Sequence, residues 1–290
     1  IDSTTVASLE FRHLIKGRSK ELWTTSFANE LGRLLNDIGT RMETGTNTIR
    51  FRPKNAIPKH KKVTYGRLVV DIRPLKEEKY RVRLTVGGDK LEFTGNASSV
   101  AASLATVKIL LNSVVSTKNA IFSTADLKDF SYGTLLPEPE YMKLSLKIIP
   151  QEIIDHYNLH SLQDDDWVYI KITKGMPGLK QPGKLANDRL IKHLHPYEYA
   201  SVKHTPSLWK HISNGLVFAL VVDDFGNKST SPTATAHLLQ ALRDKYKITT
   251  DSDSTEYLGF TLKWNYIHRK VWLYMPQYVT KANPNLNNTN

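Results

Sequence analysis

The chain has 290 residues and a formal net charge of +12, which favours a polyanionic partner, nucleic acid before a membrane surface. It contains no cysteine, which excludes disulfides, thiolate nucleophiles and cysteine-based zinc sites. No apolar run reaches the length of a membrane span and no signal peptide is visible, so we expect an intracellular protein without membrane contact. The cytoplasm and the nucleus both remain open as its location, and so does its oligomeric state. The start at Ile1 suggests a piece of a longer product.

Hydrophobic periodicity predicts both helices and strands along the chain. Apolar side chains recur at helical spacing over residues 23–35, 98–115, 183–194 and 235–246. Short runs rich in β-branched and aromatic residues predict strands at 63–72, 80–86, 120–125, 167–172, 216–222, 258–264 and 271–275. Because these elements do not follow a strict βαβ rhythm, we expect an α+β fold.

Domain boundaries follow from composition and the predicted elements. We expect residues 1–47 to form an N-terminal helical segment and residues 48–282 to form the main folded region, which holds all the segments of the resemblance given below. Residues 283–290 are polar and rich in asparagine, which is typical of a frayed tail.

Basic residues concentrate between positions 50 and 90, where two strands are predicted. Arg81 and Arg83 lie two positions apart and therefore share one face of their strand. A ribbon with cations on one face suits phosphate contact, with affinity that falls steeply with salt. The alternative is an edge strand whose charges are solvated and discourage aggregation.

Two adjacent carboxylates, Asp223 and Asp224, follow the apolar strand predicted at 216–222. We place them where this strand emerges into a turn marked by Gly226 and Asn227. Crowded carboxylates raise each other's pKa unless a cation neutralises them, and Mg²⁺ prefers such hard oxygen ligands. A solvated hairpin turn is the alternative, since aspartate is a common turn residue.

A third carboxylate, Asp126, ends the strand predicted at 120–125. If the two strands are neighbours, Asp126 and Asp223 lie close enough to share metal. Two strands that deliver carboxylates to one edge can hold two Mg²⁺ ions about 4 Å apart, the arrangement that polymerases use.

Seven segments in collinear order resemble the reverse transcriptase of copia-type long-terminal-repeat retrotransposons. They include a basic strand, the Asp-Leu-Lys that follows the strand predicted at 120–125, a Gly-Leu-Lys-Gln element and the Val-Asp-Asp that contains the carboxylate pair. The segments are residues 80–88, 126–128, 140–143, 178–181, 204–209, 222–224 and 257–260. The resemblance implies a right-hand polymerase with fingers and palm, whose antiparallel palm sheet packs on helices.

The resemblance also implies a role for each matching residue. The metal carboxylates would be Asp126, Asp223 and Asp224, which hold two Mg²⁺ ions, or Mn²⁺, together with the carbonyl oxygen of Leu127. Gln181 would lie against the incoming dNTP, and residues 258–264 would support the primer end. Arg81 and Arg83 would meet the phosphates of the nucleotide or the template. For Gln181 alone, a surface position before Pro182 is an equally simple interpretation.

The chain departs from the family at two places in the predicted nucleotide pocket. The family has an aromatic residue five positions after the first aspartate, where it crowds the 2′-hydroxyl of the sugar; this chain has Ser131, flanked by Phe130 and Tyr132. After Gln181, the family continues with Ala-Pro-Arg and a tryptophan, but here Pro-Gly-Lys follows. Two functions therefore remain: an RNA-directed DNA polymerase that uses an RNA template, a DNA primer and dNTPs, or a non-catalytic nucleic-acid-binding remnant of a decayed element.

Overall fold

The computed structural model describes residues 10–39, 42–73, 77–95, 97, 101–276 and 278. The chain divides into two compact units, the first formed by residues 1–98 and 131–186 and the second by residues 99–130 and 187–290. Both units combine helices with antiparallel strands, so the predicted α+β class is confirmed. The tail predicted at 283–290 lies outside the described residues.

The helices of the described part of the chain are α1 (Phe11–Leu14), α2 (Lys20–Leu34), α3 (Leu104–Ser116), α4 (Gln151–His156), α5 (Pro182–Leu194) and α6 (Pro232–Arg243). None of them is both long and apolar enough to cross a bilayer. The strands there are β1 (Ile49–Arg52), β2 (Val63–Ile72), β3 (Tyr80–Val86), β4 (Ile121–Leu127), β5 (Leu135–Ser145), β6 (Trp167–Lys174), β7 (Tyr199–Ser201), β8 (Leu208–His211), β9 (Val217–Val221), β10 (Asp224–Ser229), β11 (Ile248–Asp251), β12 (Glu256–Tyr257), β13 (Phe260–Asn265) and β14 (Lys270–Tyr274).

In the first unit, the described residues form a five-stranded sheet with the order β1-β6-β5-β2-β3. Its neighbours are antiparallel except for β2 and β5, which pair in parallel over three residues. Side chains alternate along each strand, so one face is apolar and packs against α2 around buried residues such as Phe27, Leu31 and Ile170.

Helix α2 covers the outer edge of this sheet as well as its apolar face. The hydroxyl oxygen of Ser26 accepts a hydrogen bond from the backbone N–H of Val82 at 2.9 Å. The carboxylate of Glu30 accepts another from the N–H of Leu84 at 3.2 Å, and the carbonyl of Pro177 accepts from Val86 at 2.8 Å. Alternate N–H groups of the edge strand β3 are therefore satisfied without a further strand.

In the second unit, the described residues form a six-stranded antiparallel sheet with the order β11-β4-β10-β9-β8-β7 and a smaller sheet β12-β13-β14. Helix α3 lies on one face of the large sheet, where Val107, Leu110 and Val114 pack against Phe122 and Tyr257. The strands that carry the predicted carboxylates, β4 and β10, lie at the centre of this sheet and are hydrogen-bonded to each other.

Most predicted elements are present, with differences at their ends. Strands β2 and β3 have the predicted bounds, whereas the helix predicted from residue 98 begins at Leu104. Its start is fixed by Ser103, whose hydroxyl accepts a hydrogen bond from the N–H of Thr106 at 3.1 Å. Strands β1, β5 and β10 were not expected, because charged, proline or glycine residues interrupt their apolar pattern. The short strands β7, β8, β11 and β12 were not predicted either.

Candidate active site

The two adjacent aspartates lie on a hairpin between β9 and β10. The register pairs Val221 with Asp224, so Val222 and Asp223 form a two-residue loop. Val222 has a φ of 61° and is 56% exposed, in the loop position where such hairpins commonly carry glycine. A β-branched residue at positive φ costs roughly 1–2 kcal/mol, so the surrounding contacts hold this loop against its local preference.

The turn predicted at Gly226 and Asn227 is wrong, since both residues lie inside β10. A Cβ atom at Gly226 would lie 2.6 Å from the ring of Tyr257, so only glycine lets that ring approach the strand. Asn227 is fully buried, and its side chain exchanges hydrogen bonds of 2.8 Å with the hydroxyl and the carbonyl of Ser123 on β4. Gly226 and Asn227, which usually mark turns, therefore serve here to admit the Tyr257 ring and to pair β10 with β4.

Strands β4 and β10 bring two carboxylates face to face. The prediction that the strands of Asp126 and the Asp-Asp pair are neighbours is confirmed, but the residue directly opposite Asp126 is Asp224. Directly opposed residues of antiparallel strands share one face, with Cβ atoms about 4.5–5.5 Å apart. Asp223 lies in the loop, where its carbonyl oxygen accepts a hydrogen bond from the N–H of Leu127 at 3.1 Å. This bond ties the end of β4 to the hairpin.

The opposed carboxylates are electrostatically unfavourable when no cation is present. Burial, together with the negative charges of Asp223 and Asp126, raises the pKa of Asp224 to about 6. Burial also raises the pKa of Asp126, against the lowering effects of the Thr249 hydroxyl and the Lys128 charge. The site therefore holds protons more strongly than solvated aspartates do, and a dication would relieve the same repulsion.

Two residues that the sequence did not single out for this site complete it. Thr249 on β11 lies opposite Asp126, and its hydroxyl lies 3.4 Å from a carboxylate oxygen of that residue. Tyr257 covers the strand beside the pair, and burial together with the Asp224 charge raises the pKa of Tyr257. The β-branched residues of β11 could have predicted a strand at Thr249. Its position opposite Asp126, however, is fixed only by the tertiary structure.

The donor set suits Mg²⁺ or Mn²⁺, because the ligands are carboxylate oxygens and because the raised pKa of Asp224 arises from burial and from neighbouring negative charge, the second of which a cation would offset. Across the described ranges, however, no group of three or more histidine, aspartate or glutamate side chains is arranged closely enough to hold an ion. Asp126 and Asp224 are opposed, while Asp223 belongs to the loop. The donor chemistry fits a dication, and Asp223, although it lies in the loop and not on either strand, is close enough for its charge to act on Asp224.

The other predicted site residues belong to the first unit. The side chain of Arg81 is only 12% exposed and forms ion pairs with Glu30, at 3.3 Å, and with Glu78. Arg83 on the same strand is exposed. Gln181 is 6% exposed, so the surface interpretation of this residue is wrong. Its predicted contact with a nucleotide and those of the two arginines stay predictions.

Ser131 is partly buried, and both of its aromatic neighbours pack elsewhere. Phe130 is 5% exposed and contacts the ring of Tyr246 at a centroid distance of 6.0 Å in the second unit. In the first unit, the ring of Tyr132 lies under the guanidinium of Arg33 at 5.5 Å. Each ring thus has a packing partner within its own unit.

No family model and no curated protein matches this chain.

Proposed function

We propose that this chain is the RNA-directed DNA polymerase domain of a copia-type retrotransposon, which transfers a nucleotide from dNTP to the 3′-hydroxyl of a primer. The observation that carries this proposal is the direct pairing of Asp126 with Asp224 on neighbouring central strands, beside a loop that carries Asp223. In this proposal the first unit serves as the fingers and the second as the palm of a right-hand polymerase.

The three aspartates would hold two Mg²⁺ ions, with the carbonyl of Leu127 as a further ligand. Bound metal lowers the pKa of the primer hydroxyl and neutralises charge on the triphosphate. The chain itself contributes position: the register between β4 and β10 fixes two carboxylates, and the Leu127–Asp223 hydrogen bond holds the loop beside them. The Thr249 hydroxyl, near a carboxylate oxygen of Asp126, restricts that side chain.

The predicted substrates are an RNA template, a DNA primer and dNTPs. The net charge of +12 supports a polyanionic partner, and the exposed Arg83 is free to meet phosphate, since it forms no ion pair within the described ranges. Arg81 reaches phosphate only if its pairs with Glu30 and Glu78 open. Of the two predicted contacts, Arg83 is therefore the better supported.

The decisive experiment is primer extension on an RNA template with purified protein, in Mg²⁺, in Mn²⁺ and in chelator. We expect extension with either metal and none with chelator, because the carboxylates alone supply no positive charge to the triphosphate. Template–primer binding is measured in parallel by fluorescence anisotropy. Binding without extension in either metal would overturn the polymerase proposal.

A non-catalytic nucleic-acid-binding protein is the second candidate. It is favoured by the absence of a three-carboxylate group in the described part of the chain and by Ser131 in place of the family's aromatic residue. Direct metal titration by calorimetry separates the two candidates. The polymerase requires saturable Mg²⁺ or Mn²⁺ binding that Asp126→Asn weakens, and the binding protein does not.

A further inference from the structure

The five-stranded sheet of the first unit has one apolar face and one face that is basic and aromatic. Opposite the apolar face, the strands present what we term the basic sheet face: Arg50, Arg52, Tyr65, Lys143, Trp167 and Lys171. Strand β1 shows this alternation: Ile49 and Phe51 are buried, whereas Arg50 and Arg52 are exposed. None of these six residues belongs to the candidate active site.

The strand register places cations and rings alternately across the sheet. Arg52 lies opposite Tyr169, Tyr169 opposite Lys143, and Lys143 beside Tyr65, so one row across four strands reads cation, ring, cation, ring. Neighbouring strands lie about 4.8 Å apart, so the row alternates at a spacing that a polymer chain can follow. The adjacent row contains Arg50 opposite Lys171.

Three of the four cations of this face are uncompensated, whereas Lys143 lies close enough to the Asp164 carboxylate to help lower its pKa. Arg50, Arg52 and Lys171 form no ion pair within the described ranges of the chain, in contrast to the buried Arg81. Lys59 is likewise unpaired there and borders a cleft of about 340 Å³ against Lys143 and Tyr169. A cluster of unpaired cations on an exposed sheet face is suited to phosphate binding, with an affinity that falls as the salt concentration rises.

Two rings of this face are exposed enough for stacking, whereas the third, that of Tyr169, is only 7% exposed. Trp167 is 37% exposed and Tyr65 40% exposed, large fractions for aromatic side chains on a sheet. The ammonium group of Lys143 lies 4.4 Å from the centre of the Trp167 ring, which combines a cation with a π surface at one point. Exposed rings next to cations are the elements with which proteins bind unpaired bases and their phosphates together.

We propose that the basic sheet face binds single-stranded nucleic acid, with phosphates on Arg50, Arg52 and Lys171 and bases on Trp167 and Tyr65. A duplex buries its bases and gains nothing from the exposed rings, and an acidic peptide meets only the cations. The combination on this face therefore selects unpaired nucleotides. This surface acts independently of the proposed polymerase reaction, since it requires no metal and no catalytic carboxylate.

The test measures binding of a fluorescein-labelled twelve-nucleotide oligouridylate by anisotropy, in chelator, over a series of salt concentrations. The charge variant is Arg50→Gln, Arg52→Gln and Lys171→Gln combined. Its matched control is Lys16→Gln, Arg18→Gln and Lys20→Gln, which removes three exposed cations of the same unit near α2. Circular dichroism and thermal unfolding establish that both variants fold.

We expect the charge variant to weaken binding roughly 100-fold at 0.1 M salt and to reduce the slope of log K against log salt by about 2, because three phosphate contacts are lost. Trp167→Leu should weaken binding roughly 5- to 150-fold with the slope unchanged, the effect of one lost stack. The control triple should change neither quantity by a comparable amount.

Three results would overturn the inference. They are equal losses in the charge variant and its control, no loss in Trp167→Leu, and equally tight binding of a duplex or of a polyglutamate peptide of equal charge. Failure of primer extension with intact oligouridylate binding would overturn the proposed polymerase and leave this surface in place.

Discussion

The two large sheets handle charge in opposite ways. In the first unit, cations are spread over one face of the sheet, exposed or partly exposed to water and backed by an apolar layer. In the second unit, carboxylates are concentrated at one end of two central strands, where burial and mutual repulsion raise the pKa of Asp224. Dispersed surface charge costs little free energy, whereas concentrated and half-buried charge stores repulsion that only a proton or a cation relieves. The first arrangement suits a long polyanion and the second a small dication.

Asp126→Asn should produce the largest effect, because it removes one carboxylate of the concentrated group. We expect primer extension to fall by on the order of 10³-fold, the scale of losing a charge-stabilising group, while template–primer affinity stays within twofold. Asp129→Asn serves as the control, since Asp129 is an exposed neighbour outside the opposed pair. Equal activity of the two variants would mean that Asp126 is not a catalytic carboxylate.

Arg81→Ala tests the exception within the first unit, a cation that is buried rather than dispersed. Its removal leaves the fully buried carboxylate of Glu30 with Arg33 as its remaining ion-pair partner. We expect the free energy of unfolding to fall by about 2–3 kcal/mol in urea titrations. Arg83→Ala, on the exposed side, should change it by less than about 0.5 kcal/mol and instead weaken nucleic-acid binding. A stable Arg81→Ala protein with weakened binding would assign Arg81 to phosphate contact.

Ser131→Tyr tests sugar selection in the proposed pocket. A serine leaves space for a ribose 2′-hydroxyl, and both Phe130 and Tyr132 are packed against other residues. We expect the unmodified chain to incorporate ribonucleotides readily, and the variant to raise its preference for deoxynucleotides by roughly 10- to 100-fold. Competition between dNTP and NTP measures this ratio. Strong deoxynucleotide preference in the unmodified chain would identify a neighbouring ring as the gate.

Asp224→Asn should stabilise the metal-free protein. The pKa of Asp224 lies near 6 in the folded chain against 3.8 as its ordinary value, so folding stability contributed by this group decreases as the pH rises from about 4 to 6. At pH 8 in chelator we expect the free energy of unfolding of the variant to exceed that of the unmodified chain by about 1–2 kcal/mol, after allowance for partial solvent screening.

At pH 3 the same comparison should show little difference, because the Asp224 carboxyl is then largely protonated in both the folded and the unfolded chain. Mg²⁺ at pH 8 should stabilise the unmodified chain and reduce the difference, since the ion binds only the folded carboxylate form. A variant less stable than the parent at pH 8 in chelator would show that the Asp224 charge is already compensated.

The sequence predicted those parts of the fold whose signal is local. Strand β3 alternates apolar and polar side chains, β2 clusters apolar ones, and the bounds of both strands were predicted correctly. Strand β10 was missed because Gly226 and Asn227 are ordinary turn residues. Their use here depends on the Tyr257 ring and on Ser123, both distant in the chain. Local propensity was overridden by packing and by a buried hydrogen-bond pair.

The acidic site was predictable to within one residue. Strand ends and motif order placed Asp126 near the Asp-Asp pair, but the exact partner depends on register, which only the pairing of β4 with β10 fixes. The position of Val222 at positive φ could not be inferred, because valine is among the residues least suited to it. The role of Thr249 could not be predicted for the same reason as β10, because it depends on which residue lies opposite in the tertiary structure.

The edge of the first sheet has a consequence for assembly. Strand β3 would offer its N–H groups to any extended chain, and such edges seed aggregation. Ser26 and Glu30 on α2 cover two of these groups, and they precede the residues they bond by 56 and 54 positions. During synthesis the cover is therefore made before the edge that it protects. Growth of this sheet by recruitment of a foreign strand at β3 would first require the helix to detach, at the cost of exposing the buried carboxylate and the apolar layer beneath it.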